Sequence, residues 1–157
     1  METAYLQTPM GYAEFKGNAD GLASVTVFDG TAPNQTIPPL LEDAVYQFQE
    51  YFAGERQLFD LKLNPEGTAF QKRVWEALLQ IPFGKTISYL ELSKKLGDAK
   101  AIRAVAAAYG KNPLWIVVPC HRVIGSNGDL TGYAGGLHRK KWLLAHESPS
   151  EQLSLFA

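Results

Sequence analysis

The stretch Ile116-Val117-Val118-Pro119-Cys120-His121-Arg122-Val123-Ile124 holds the only cysteine of a 157-residue chain. A thiol with the ordinary pKa of about 8.5 is only about 3% thiolate at pH 7, so a nucleophilic cysteine needs a base or a positive field beside it. His121 and Arg122 follow directly, and Pro119 suits the first position of a helical turn whose N–H groups favour an anion. Neighbouring side chains often point apart, which leaves both direct contact and a base acting through one water open. A single cysteine excludes an intrachain disulfide, so Cys120 is either an inert buried thiol or a nucleophile.

Two other chemical signals fail. Gly84-Lys85-Thr86 resembles the end of a phosphate-binding loop, but Leu79 stands where that motif needs its first glycine. His121, His138 and His146 fit no common zinc spacing with Cys120, and no metal is expected.

The elements that must position Cys120 fall into two parts. Cut after Gly67, the first part holds ten acids and three bases, a net −7, and the second holds six acids and twelve bases, a net +6, inside a total of −1. The total argues against a nucleic-acid partner, whereas the second part by itself suits a polyanion. The expected fold is α+β, divided into 1–64, 65–148 and a flexible tail, 149–157. Gly11 to Asn18 and Leu22 to Phe28 alternate as a hairpin around Asn18-Ala19-Asp20-Gly21. A helix from Pro38-Pro39 to Gly54 follows, then a short strand through Phe59, Leu61 and Leu63, with Asn64-Pro65-Glu66-Gly67 as linker.

The second part reads as mainly helical. Thr68 with Gln71 and Ser88 with Glu91 are capping boxes, the second opening a short helix that ends at Gly97. Asp98 caps a further helix from Ala99 to Tyr109, and the pair has the form of a helix-turn-helix. The second helix carries Ala101, Ala104, Ala106, Ala107 and Ala108 beside Lys100 and Arg103. Such a small-residue face either packs in a core or lets the helix approach another backbone closely. Leu114 to Val118 looks like a strand, Gly132 to Gly136 like a flexible loop, and Leu137 to His146 like a basic amphipathic helix. No apolar run approaches the roughly 20 residues that cross a bilayer, and Met1 to Tyr5 lacks the basic start of a signal peptide, so a cytoplasmic location is expected.

Pro119-Cys120-His121-Arg122-Val123 resembles the active-site motif of the 6-O-alkylguanine-DNA alkyltransferases, in particular their bacterial, Ogt-type form. The likeness extends over residues 68 to 147 through Ile87-Ser88-Tyr89, Arg103-Ala104-Val105, Gly110-Lys111-Asn112-Pro113, Gly132-Tyr133-Ala134-Gly135-Gly136 and Trp142-Leu143-Leu144-Ala145-His146-Glu147. It implies a ribonuclease H-like N-terminal domain, with a small antiparallel sheet and a helix, before a winged-helix or helix-turn-helix domain. The implied activity is DNA repair by direct reversal: 6-O-methylguanine is rotated out of the duplex and its alkyl group passes irreversibly to Cys120, once per molecule and with no cofactor.

The same resemblance assigns roles. Cys120 is the nucleophile, His121 the base through a water, Glu147 the group that orients and charges the imidazole, and Asn112 a hinge between the helix-turn-helix and the site. Arg103 fills the vacated base stack and Tyr89 promotes the rotation, while Lys100, Ala104, Lys111 and Arg122 belong to the DNA-binding set. Tyr89 and the Ala134 N–H meet the leaving guanine, the carbonyls of Cys120 and Val123 accept from its exocyclic amine, and Tyr133 walls the alkyl pocket. Trp115 and Tyr109 depart from the family pattern, two bulky aromatics expected at the pocket. The zinc ligands of some relatives are missing from the N-terminal half.

The tail Gln152-Leu153-Ser154-Leu155-Phe156 resembles the pentapeptide that binds the bacterial replicative sliding clamp, with Leu155 and Phe156 for an apolar cleft, Leu153 beside them, and Gln152 as an orienting amide. The expected partners are duplex DNA containing alkylated guanine and that clamp, for a monomer with no membrane contact. The alternatives are a non-catalytic, alkyltransferase-like lesion binder, a Cys-His hydrolase and a transcription regulator; the presence of Cys120 disfavours the first.

Overall fold

The computed structural model describes residues 1–97, 99–125, 133 and 136–148. The chain forms two compact units, Met1–Glu66 with Pro113–Trp115, and Gly67–Asn112 with the residues from Ile116 onward. Among the described residues no helix is long and apolar enough to cross a membrane.

In the first unit, β1 (Glu2–Thr8), β2 (Gly11–Asn18) and β3 (Gly21–Phe28) form an antiparallel sheet in that order. The expected hairpin is β2 and β3, closed where Asn18 pairs with Gly21. Strand β1 was not expected: only Ala4 of its residues is fully buried, so it lacks a clear alternation of apolar positions and is held by backbone pairing with β2. Helix α1 (Pro39–Phe52) buries Leu41, Ala44, Val45, Phe48 and Tyr51. Phe48 meets Phe15 of β2 edge-on, with ring centroids 4.8 Å apart.

Two expected strands are not strands. Around Phe59 to Leu63 there is only one parallel bridge, Leu22 to Leu63. The Gln47 amide occupies the backbone there, donating to the Asp60 carbonyl and accepting from the Asp60 N–H, both at 2.9 Å. The run from Leu114 to Val118 is likewise reduced to a bridge, in which Val25 N–H donates to the Pro113 carbonyl at 2.9 Å and Trp115 N–H to the Val25 carbonyl at 3.1 Å. The chain then turns at Ile116, whose φ of 70° is rare for a β-branched residue and ends the extended conformation.

The second unit begins with α2 (Ala69–Leu78), capped by the Thr68–Gln71 box and burying Val74, Trp75 and Leu78. The Trp75 indole donates to the Ala108 carbonyl at 2.9 Å, which ties α2 to the end of α4. Strand β4 (Ile87–Ser88) leads through the Ser88–Glu91 capping box into α3 (Tyr89–Lys95). Gly97 leaves that helix at φ 88°. The single helix expected over Ala99–Tyr109 is instead a 3-10 turn, Ala99–Ala101, followed by α4 (Ile102–Gly110), whose N-cap Ala101 offers no side-chain cap. Asp98, the expected cap, lies outside the described residues. A 3-10 turn at Cys120–Arg122, strand β5 (Val123–Ile124) and α5 (Leu137–Glu147) complete the unit.

Candidate active site

Short parallel pairing of β4 with β5 sets Ile87 opposite Val123 and Ser88 opposite Ile124. The turn bearing Cys120 therefore ends against the strand that starts α3, whose first residue is Tyr89. Inside the turn, Cys120 N–H donates to the Val118 carbonyl at 2.8 Å and Arg122 N–H to the Pro119 carbonyl at 3.0 Å.

Cys120 is buried, 6% exposed. Its Sγ accepts from Asn112 Nδ2 at 3.1 Å and lies 3.5 Å from the Tyr109 carbonyl, a geometry for S–H donation. The same Asn112 nitrogen donates to the Val118 carbonyl at 3.0 Å, so one amide joins the end of α4 to the active turn. Burial pushes the thiol up to about 12, against the Asn112 hydrogen bond and the Lys140 charge, which both pull it down. Forming the thiolate at pH 7 without help would then cost about 7 kcal/mol, since each pK unit is about 1.36 kcal/mol. The resting sulfur is a thiol, and a base must remove its proton.

His121 is completely buried, and its Nε2 lies 2.7 Å from Glu147 Oε2. Its Nδ1 is buried with no hydrogen-bond partner among the described residues. Burial lowers the imidazole below its usual range despite the Glu147 carboxylate, which favours the charged form. A neutral ring that donates from Nε2 to Glu147 leaves Nδ1 with a free lone pair, the form a general base requires. The adjacent side chains diverge, with sulfur engaged by Asn112 and Tyr109 and imidazole by Glu147.

Arg122 overturns its expected place in the DNA-binding set. It is 6% exposed, with Nε 2.8 Å from Glu147 Oε1, Nη2 3.1 Å from Oε2 and Nη1 2.7 Å from the Ile81 carbonyl. A guanidinium so committed is part of the interior. Together with the His121 bond it holds the Glu147 carboxyl well below the usual carboxylate range, although burial acts in the opposite sense.

Trp115 also departs from its expected position at the alkyl pocket. It packs within the first unit against Phe48 and Phe52, at centroid distances of 6.3 and 6.1 Å, because Pro113–Trp115 is drawn onto the edge of β3. Tyr109, by contrast, lies beside the thiol, its ring edge-on to Tyr89 at 5.2 Å. Val123 is fully buried in β5, and Tyr133 is half-buried with its ring 5.9 Å from Lys140 Nζ. Ala134 and the tail residues Gln152, Leu153, Leu155 and Phe156 lie outside the described residues.

Helix α4 buries Val105, Ala108 and Tyr109, while Arg103, Ala104, Ala106 and Ala107 are exposed. The small-residue face is mostly a surface rather than part of the core. Lys100 and Lys111 flank it and are exposed as well. One helix therefore presents a thin, positively flanked face and ends at the thiol.

Lys140 was missed from sequence. It is fully buried, as is Leu143, and Glu147 is 2% exposed. The spacing of 140, 143 and 147 on a helix is the available signal, since it puts a lysine on the buried stripe. Among the described residues no cluster of three or more His, Cys, Asp or Glu could hold a metal ion.

Comparison with known proteins accounts for both units. Residues 1–65 match the ribonuclease-like domain, and residues 69–149 the DNA binding domain, of 6-O-methylguanine DNA methyltransferase. A methylated-DNA–protein-cysteine methyltransferase of Methanosarcina acetivorans is 46% identical over 153 residues, covering 94% of this chain and 98% of the relative. The Mycobacterium tuberculosis protein of the same name is 45% identical over 147 residues, 90% of this chain and 89% of its own. The crystal structure of M. tuberculosis O6-methylguanine methyltransferase matches with a TM-score of 0.83 at 41% identity over 99% of both chains. That of M. tuberculosis OGT in complex with DNA gives 0.82 at 44% identity over 98% of both. With relatives above 40% identical along nearly the whole chain, this protein belongs to the 6-O-methylguanine-DNA methyltransferase family.

Proposed function

We propose that the protein repairs DNA by direct reversal, moving the alkyl group of a 6-O-alkylguanine onto Cys120. The observation that carries this is a buried thiol next in sequence to a histidine whose Nε2 is anchored on Glu147 and whose Nδ1 has no partner among the described residues. His121 takes the thiol proton through one water as sulfur attacks the alkyl carbon, and Glu147 stabilises the imidazolium that forms. The C–O bond to the purine breaks and a thioether remains. Unlike an acyl thioester it offers no easy hydrolytic route back, so each molecule acts once and needs no cofactor.

The target atom is unreachable inside a stacked duplex, so the base must leave the stack at a cost of a few kcal/mol. The exposed alanine face of α4 suits a minor groove only about 6 Å wide. Arg103 fills the vacated stack, Tyr89 drives rotation and donates to the departing base, and Lys100, Ala104 and Lys111 meet the backbone. Asn112 couples the end of α4 to the turn through its bonds to Val118 and Cys120. Val123, Tyr133, Ala134 and Tyr109 surround the base and its alkyl group.

The pentapeptide Gln152 to Phe156 docks on the replicative sliding clamp, which would keep a cytoplasmic monomer of modest DNA affinity near its substrate. Deleting 152–157 abolishes binding to purified clamp if this is right, and unchanged binding refutes it. For the reaction, incubation with a duplex carrying one 6-O-methylguanine is followed by intact mass. One added methyl, absent in Cys120→Ala, supports the proposal; turnover of small esters or binding with no mass change points to a hydrolase or a lesion binder.

A further inference from the structure

The chemistry above leaves the buried cation closest to the thiol's surroundings, Lys140, unused. Lys140 is fully buried on α5, and its ammonium donates to the Tyr109 phenol oxygen at 3.3 Å. The Tyr109 ring in turn meets the Tyr89 ring edge-on, with centroids 5.2 Å apart and planes at 78°. Burial raises both phenols, and the hydrogen bond between them adds to the rise at Tyr109 while opposing it at Tyr89, the pattern of a donor and its acceptor. The three groups thus form an ordered series from Lys140 through Tyr109 to Tyr89.

We infer that Lys140, Tyr109 and Tyr89 form a proton-delivery chain to the departing purine, with Tyr109 as its middle link. The inference rests on the role of Tyr89 as donor to the leaving base. As the S–C bond forms and the C–O bond breaks, the electron pair stays on the purine. Tyr89 O–H protonates a purine ring nitrogen, Tyr109 O–H restores Tyr89, and Lys140 N–H restores Tyr109, leaving a neutral amine. The thiol proton leaves separately to His121, so the positive charge lost at Lys140 reappears on the imidazolium.

Relative acidity gives the chain its direction. Burial lowers Lys140 to about 8, whereas burial raises both phenols above their ordinary value of 10.0. Lys140 is therefore the strongest acid of the three, and a phenolate formed at Tyr89 draws its proton downhill. Lys140 is faced by Tyr109 from α4, by Tyr133 ahead of α5, and by the titratable Cys120 and His121 from the turn, both neutral at rest.

The test is Tyr109→Phe in the full chain, read by two rates at Cys120. One is single-turnover transfer from the 6-O-methylguanine duplex; the other is alkylation by iodoacetamide, whose iodide leaves without a proton. The chain predicts transfer slowed by about tenfold or more, with iodoacetamide alkylation within about twofold of wild type. Equal losses in both rates, or no loss of transfer, overturn it. Tyr89→Phe separates the two levels: wild-type transfer there refutes the donor role of Tyr89, while slow transfer there with wild-type transfer in Tyr109→Phe refutes only the chain. A wild-type pH series adds a measurement that needs no variant. The ratio of transfer to iodoacetamide rate falls as pH rises through about 8, and a flat ratio overturns the inference.

Discussion

Replacing Glu147 by glutamine tests the buried network most directly, because it changes charge and hydrogen-bond capacity with almost no change in shape. The carboxylate accepts from His121 Nε2 at 2.7 Å and from Arg122 Nε and Nη2 at 2.8 and 3.1 Å. An amide has one oxygen to accept and an NH2 that must face one of these donors. At least one buried N–H is left unsatisfied, costing about 1–3 kcal/mol, and the Arg122 guanidinium loses its counter-charge, so the total loss should be about 3–5 kcal/mol. At about 2–4 °C per kcal/mol for a chain of this size, unfolding should occur about 6–20 °C lower. Transfer should fall by about 10² to 10⁴, because the imidazolium loses the group that stabilises it.

The pH dependence carries the sign. Glu147 is held below the carboxylate range in the folded protein, so its contribution is present above the unfolded value of about 4.3 and is lost as pH falls below it. Calorimetry of wild type and Glu147→Gln at pH 7 and at steps below pH 4 should show the gap closing as acid is added. A gap under about 0.5 kcal/mol at pH 7, within the range of an inert surface change, refutes the argument. So does a gap that does not change with pH.

Trp115 sits where the sequence did not place it, and Arg103 lies exposed on α4. Trp115→Phe keeps an aromatic ring in the cluster with Phe48 and Phe52 and removes a buried indole N–H that has no partner among the described residues. Relative rates for methyl and benzyl substrates should be unchanged; a shifted ratio would restore Trp115 to the alkyl pocket. Arg103→Ala should weaken lesion binding and slow transfer by about tenfold or more, while iodoacetamide alkylation of Cys120 stays at the wild-type rate. In Lys100→Ala and Lys111→Ala the dependence of DNA affinity on salt should instead lose about one unit of slope each, as titrations from about 50 to 200 mM salt can measure.

The local grammar of the chain was legible without coordinates. The Thr68 and Ser88 capping boxes, the turn between β2 and β3 and the stop of α1 depend on contacts within a few residues, so residue type and spacing settle them. The motif around Cys120 likewise singled out the thiol and its histidine. What spacing could not supply was direction. His121 and Arg122 follow Cys120 in sequence, yet both turn to Glu147, 26 and 25 residues away, and that choice makes both of them part of one buried network. Trp115 left the pocket because the backbone of Pro113–Trp115 found hydrogen bonds on Val25, a partner no local pattern announces. Lys140 was hidden because a lysine on a basic helix reads as solvated until the fold shows which face is covered. Sequence by itself determined which groups and which local turns exist; tertiary structure decided which are dry and which touch, since burial and long-range pairing are properties of the packed chain.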